Sequence, residues 1–243
     1  MIDLIAFDAD DTLWHNVPVF SMTHKKFARL LEAYHSAEFV EQRLYDTETR
    51  NIQILGYGIK SFTISMIETA IELTEGRIKG SEVQQIIDFS KEMLKAQIEL
   101  LDHVEEALLA LSKSHDLMII TKGDLFDQQA KVARSRLGGY FRRVEVVSQK
   151  SEAAYLSILT NCSIRAERFL MAGDSLKSDV LPVVGIGAHA VHIPYHTTWA
   201  HEAVPNIDPE QKSRYYELKH IGQLPSLVER LRAPRDGRVR SSA

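Results

Sequence analysis

Cysteine occurs once in the 243 residues, at Cys162. A lone thiol excludes an intrachain disulfide framework and points to a reducing compartment. Long apolar runs are also missing. The longest candidate, VLPVVGIGA (180–188), is nine residues, contains a proline and falls far short of a membrane span. Positive charge is not in excess: 29 Lys+Arg stand against 33 Asp+Glu, for a net −4, which gives no electrostatic basis for a nucleic-acid partner. The opening MIDLIAFDAD has neither a basic n-region nor a small-residue cleavage site, so no signal peptide is read and a cytoplasmic protein is expected. Without secretion the sequon Asn161-Cys162-Ser163 is a chance match.

Strand-like sequence is missing from about 19 to 112. What stands there is helical: Phe27, Leu30, Leu31 and Tyr34 fall at i, i+3, i+4 and i+7, and Ile59, Phe62, Met66, Ile67 and Ala70 form a second stripe. Gly80-Ser81 followed by Gln84 reads as a capping box opening a helix through Leu101, and Asp102 with Glu105 as another opening HVEEALLALSK. The run is too long for one crossover helix, so a separate helical lobe is expected. On either side lie five short aliphatic segments: IDLIAF (2–7), DLMIIT (116–121), RVEVVS (143–148), RFLMAG (168–173) and HAVHIP (189–194). Helix-like connectors at 124–136 and 151–160 give the spacing of βαβ units and a parallel, Rossmann-like sheet flanked by helices. The Arg-rich end, RAPRDGRVRSSA (232–243), reads as a disordered, frayed tail.

In open parallel sheets ligands bind beyond the carboxyl ends of the strands. The first strand delivers Asp8, Asp10 and Thr12; the second Thr121, then Lys122-Gly123-Asp124; the third Lys150; the fourth Asp174-Ser175, with Ser178 and Asp179 just beyond. Two carboxylates about 5 Å apart repel by ~3 kcal/mol at an effective dielectric of 20, so the acidic knot in IAFDADDTLW demands a counter-charge. Hard oxygen ligands suit Mg²⁺, which also binds phosphate oxygens. A carboxylate can act as nucleophile and form an aspartyl phosphate, a second can serve as general acid and base, and hydroxyl and ammonium donors stabilise the transferring group.

FDADDTLW resembles the first motif (Asp-x-Asp-x-Thr) of the haloacid dehalogenase-like hydrolase superfamily in its phosphatase form. MIITKGD, QKSEAAY and FLMAGDSLKSD resemble the second, third and fourth. All four stand in order at strand ends and span residues 2–193. The resemblance implies Asp8 as nucleophile and Asp10 as general acid/base. It implies Mg²⁺ held by the carboxylates of Asp8 and Asp174 and the backbone carbonyl of Asp10. Thr12, Thr121 and Lys150 would then serve the phosphoryl group, while Asp179 would order metal waters or Lys150 and Ser175 would support the site. It also implies a core of residues 1–14 and 98–231 with an inserted all-helical C1 cap at 15–97. Asp11 stands where the first motif often has glycine, Lys122-Gly123 where Asn-Gly is common, and Ser151 where proline follows the lysine. Lys122 competes with Lys150 for the ammonium role, the first reading for it being a solvated lysine. His189, His192, His196 and His201 are read as structural or surface groups, because a spacing of three puts the first two on opposite strand faces.

The expected function is a Mg²⁺-dependent phosphomonoester hydrolase acting on a small phosphorylated metabolite. Two alternatives remain at this stage: a phosphomutase sharing the same motifs, and a non-catalytic phosphate-binding or scaffold module, against which Asp10 argues. For specificity, Gly56 and Gly58 in LGYGIKSF (55–62) suggest a loop between two helices of the lobe. Residues 15–101 hold 10 Lys+Arg and 12 Asp+Glu, so any cationic contact there must be local. Lys60, with Ser61, is the candidate.

Overall fold

The computed structural model describes residues 2–197 and 213–232. Six strands form one parallel sheet: β1 (Leu4–Phe7), β2 (Asp116–Lys122), β3 (Arg143–Val147), β4 (Phe169–Gly173), β5 (His189–His192) and β6 (Tyr215–Glu217), in spatial order β3-β2-β1-β4-β5-β6. The register aligns Phe7 with Ile119 on one side and Ala172 on the other; β4 runs one residue and β2 three residues past the end of β1, and all three carry their C-terminal residues to the same edge of the sheet. The order reverses between β1 and β4, the crevice where doubly wound sheets bind ligands.

Both faces of the sheet are covered, which explains the continuous apolar strands. Ile5, Phe7, Leu117, Ile119 and Leu170 pack with α5 (Val104–Leu111), α6 (Leu125–Ser135) and α9 (Leu224–Arg232). Leu4, Ala6, Met118, Ile120 and Met171 point the other way, onto α7 (Glu152–Cys162) and α8 (Leu181–Gly185). The fold is thus a Rossmann-like α/β core.

Between β1 and α5 run α1 (Val17–Leu30), α2 (Ala37–Leu55), α3 (Ile59–Leu73) and α4 (Gly80–Lys95). They bury a core of their own around Phe27, Leu31, Leu44, Phe62, Met66 and Ile86. Each such fully buried side chain is worth about 1.5–3 kcal/mol. Entry and exit of this insert are paired: Trp14 bridges Leu100, His15 N–H donates to the Glu99 carbonyl (2.9 Å) and Leu101 N–H to that of Leu13 (3.0 Å). No described helix is long and apolar enough to cross a membrane.

Several local expectations change. The capping box of α4 sits at Lys79, whose N–H is accepted by Glu82 (2.7 Å), and the helix stops at Lys95 rather than Leu101. Asp102 does not cap α5; His103, in the left-handed region at φ 66°, precedes it instead. β6 and α9 were not foreseen: a three-residue edge strand carries too short a pattern to stand out. His201 and residues 233–243 of the tail lie outside the described residues.

Candidate active site

Asp8 continues β1 by one residue, its N–H donating to the Ala172 carbonyl (2.9 Å). The chain then turns tightly, Leu13 N–H returning to Ala9 O (2.8 Å), with Asp11 in the left-handed region at φ 62°. That conformation favours glycine. Asp11 adds what glycine lacks, a carboxylate accepting from Asn16 N–H (2.8 Å) and Val17 N–H (3.0 Å) to cap α1. Burial pushes Asp11 up to about 6, against the pull of those two amides.

Asp8, Asp174 and Asp179 converge, with carboxylate oxygens within 4.8 Å of one another. Asp179 reaches the cluster through a single π-helical turn, Leu176–Val180, in which Ser175 Oγ accepts from Ser178 N–H (3.0 Å) and Ser175 N–H donates to Asp179 (3.1 Å). Gly173 makes room for it: a Cβ there would meet the Asp179 carboxyl at 2.3 Å. Lys150, fully buried, donates to Asp179 (2.6 Å) and to Asp8. Burial works against its charge, but Asp179 and Asp8 outweigh that and hold Lys150 well above the ordinary lysine value. Burial lifts Asp8 to about 7, partly opposed by Lys150 and reinforced by Asp179. Asp174 is raised well above its usual value by burial and then by Asp8 and Asp179. One ammonium is too little for three carboxylates, and the oxygen-only donor set suits a hard divalent cation.

Asp10 is held apart from this cluster. Its carboxylate accepts from Trp14 Nε1 (2.7 Å), Gln128 Nε2 (2.9 Å) and, at both oxygens, Lys131 Nζ (3.0 and 2.9 Å). Burial would raise it, but Lys131 and these donors leave it below the ordinary carboxylate value. Lys131 also donates to Asn16 (3.0 Å), tying α6 to the entry of the insert.

These groups line a cavity of about 260 Å³, closed on the other side by insert residues including Phe20, Glu48, Tyr57 and Phe62. A model of the haloacid dehalogenase-like hydrolases matches residues 2–184. The chain belongs to this family. A haloacid dehalogenase-like family hydrolase from Xanthomonas campestris is 37% identical, with a TM-score of 0.84 over 95% of this chain and 91% of the other. A 2-haloacid dehalogenase from Pseudomonas syringae pv. tomato (21% identity, TM-score 0.63, 95% and 100% covered) is also similar. So is a predicted phosphoglycolate phosphatase from Haemophilus somnus (17%, 0.63, 93% and 98%). At these lower identities the likeness speaks to the fold alone. No curated protein sequence matches the chain.

Within this hydrolase Asp8, Asp10, Thr121, Lys150, Asp174, Ser175 and Asp179 meet at the cavity. Thr121 is buried there at the end of β2. Thr12 does not line it; its hydroxyl is turned toward Asp174 (3.4 Å) and supports that carboxylate. Lys122 is no solvated lysine: it donates to Ser178 Oγ (2.8 Å), lies 4.3 Å from the Tyr57 ring and lines the cavity. Lys60 is the opposite case. It sits in the first turn of α3, not in a loop, pairs with Asp124 (2.9 Å) and stays outside the cavity, whereas Ser61 lines it. His192 donates from Nε2 to the Asp174 carbonyl (2.9 Å), a structural role beside the site. Asp179, expected to order metal waters or Lys150, joins Asp8 and Asp174 in the carboxylate cluster itself and pairs with Lys150. Lys131, Gln128 and Glu48 were missed, the first two because polar residues on a helix resemble a solvated face.

Proposed function

We propose that the chain is a Mg²⁺-dependent phosphomonoester hydrolase acting on a small phosphorylated metabolite, with the helical insert as its cap. The observation that carries this reading is the division of the carboxylates into two sets, three crowded around one lysine and a fourth served by its own lysine. Asp8 and Asp174, with Asp179 beside them, would hold the metal. Bound there, Mg²⁺ supplies charge neutralisation and polarises a phosphoryl oxygen.

An Asp8 oxygen attacks phosphorus, and the bond from phosphorus to the ester oxygen breaks. Asp10 gives its proton to that leaving oxygen. In the second step water attacks phosphorus, its proton passes to Asp10, and inorganic phosphate leaves Asp8 restored. Asp10 as it stands is ionised, the form that accepts the proton from water. Its donating half requires the pair with Lys131 to loosen. Lys150 and Thr121 supply donors to the phosphoryl oxygens.

A dehalogenase would use Asp8 alike but expel a halide, which takes no proton. Asp10, with three residues devoted to holding it, has no leaving oxygen to protonate in that reaction and keeps only the water-activating half of its role. The deciding experiment sets p-nitrophenyl phosphate against 2-chloropropionate, with and without Mg²⁺. Mg²⁺-dependent phosphate release is expected; chloride release without phosphate overturns the reading. A phosphomutase would isomerise a sugar phosphate without free phosphate, and a scaffold would turn over nothing.

A further inference from the structure

The insert places three ionisable side chains on the cavity that the mechanism does not use, His24, Glu48 and Tyr57, and of these Glu48 is the only carboxyl. Glu48, on α2, is 5% exposed and lines the cavity. Among the described residues its carboxyl has no hydrogen-bond or ion-pair partner, and burial alone lifts it to about 8. Its neighbours on the same buried helix face are served: Asn51 donates to Ser65 Oγ (3.1 Å) and Glu68 (2.9 Å), and Thr47 Oγ1 accepts from Arg50 (3.2 Å). A buried carboxyl without a partner is costly, and a position serving packing alone would be better filled by leucine. Phe20, Ile52, Ile59 and Phe62 line the same space, along with Ser21, His24, Tyr57 and Ser61. At about 260 Å³ the cavity is small even by the measure of ordinary ligand pockets.

We propose that Glu48 is the specificity residue of this site, binding a hydrogen-bond donor (hydroxyl or ammonium) at the far end of the leaving group. The enzyme then selects small phosphate esters whose short apolar body ends in such a donor. This rests on the phosphomonoesterase reading above. The physical logic is asymmetric: an apolar slot discriminates weakly between similar alkyl groups, whereas a buried carboxyl left unpaired by the wrong ligand rejects it strongly.

The test compares kcat/KM for three matched esters, butyl, 3-hydroxypropyl and 3-aminopropyl phosphate, together with their homologues one carbon shorter and longer. At least one donor-bearing ester should exceed its alkyl counterpart by about 30-fold or more. Glu48→Leu should bring that ratio to within about threefold while alkyl ester hydrolysis is retained or improved. Glu48→Gln separates the donors: it keeps a preference for hydroxyl and loses one for ammonium. Both variants should melt at or above the wild-type temperature, since a partnerless buried carboxyl is removed, so a lost preference is not unfolding. A wild type that takes alkyl esters as well as donor-bearing ones, or a preference that survives in Glu48→Leu, overturns the inference and leaves the phosphatase reading standing. Failure to hydrolyse every ester and p-nitrophenyl phosphate with Mg²⁺ present defeats the phosphatase reading, and this inference with it.

Discussion

On the core side of the cavity Lys150 serves Asp8 and Asp179, and Lys131 serves Asp10. On the insert side Glu48 stands among Phe20, Ile52 and Phe62 with no counter-charge among the described residues. The core side is an arrangement of opposed charges whose protonation is set by near neighbours. The insert side sets Phe20, Ile52, Ile59 and Phe62 beside Ser21, His24, Tyr57 and Ser61, and its single carboxyl is governed by burial. Reaction and selection would then depend on different physics, one on Coulombic balance and the other on desolvation.

The comparison breaks most sharply at Asp8. Asp8→Asn should lower turnover of p-nitrophenyl phosphate by about 10³-fold or more with the fold intact, because an amide cannot form the acyl phosphate. Residual activity within tenfold of wild type would remove Asp8 from the nucleophile's role. Asp10→Asn should cost alkyl phosphates about 10²–10⁴-fold and p-nitrophenyl phosphate far less, since nitrophenolate leaves without a proton. Equal losses on both would mean that Asp10 acts through the shape of the Lys131 network instead.

Lys150→Met tests the core's balance as a matter of stability. Removing one partner of a buried ion pair costs about 3–5 kcal/mol, which thermal or urea unfolding would register. Mg²⁺ should recover more of the melting temperature in this variant than in wild type. A stability loss below ~1 kcal/mol would mean that the three carboxylates do not need the ammonium.

Glu48 predicts a pH dependence of the opposite origin. Burial lifts its folded pKa to about 8, above the ordinary glutamate value of 4.5. The stabilising contribution of the protonated group is therefore complete below about pH 4.5, drains as pH rises and is gone above about pH 8. Relative to Glu48→Gln, wild type should thus lose melting temperature steadily across that window and no further beyond it. A pH-independent difference would place the carboxyl in water. The smallest effect belongs to Lys60→Ala. An ion pair whose lysine side chain is 63% exposed contributes about 0–1 kcal/mol, so KM for any ester should move less than threefold. A larger shift specific to one substrate would return Lys60 to the binding surface.

The core half of this comparison was readable because strand ends announce themselves. An apolar run that stops at a polar residue marks a C-terminal edge, and four such edges carried Asp8, Thr121, Lys150 and Asp174. The other half was hidden by helical periodicity. Glu48 is one acidic residue on a helix that also carries Glu38, Glu41 and Asp46, and only the packing of α2 against α3 decides which of them is inside. Lys131 looks like any lysine one turn from an aspartate. Lys60 misled because Gly56 and Gly58 do break the helix, but α3 resumes at Ile59, before the lysine. Gly58 itself has a tighter reason to be glycine: at φ 123° a Cβ would meet Asp124 N at 2.9 Å, so this turn is pressed onto the start of α6.

The paired segments at the mouth of the insert bear on how the chain folds. β1 and β2 are hydrogen-bonded neighbours although more than a hundred residues lie between them. Closing so long a loop at random carries an entropic cost that falls by about 0.6 kcal/mol for each halving of its length. Once α1 to α4 have gathered on their own core, the ribbon that joins Leu13–His15 to Glu99–Leu101 brings the two ends together. What remains to be closed is then a loop of a few tens of residues at most. For the folding chain the insert is a shortcut: helices that gather first shorten the loop that the central strands have to close.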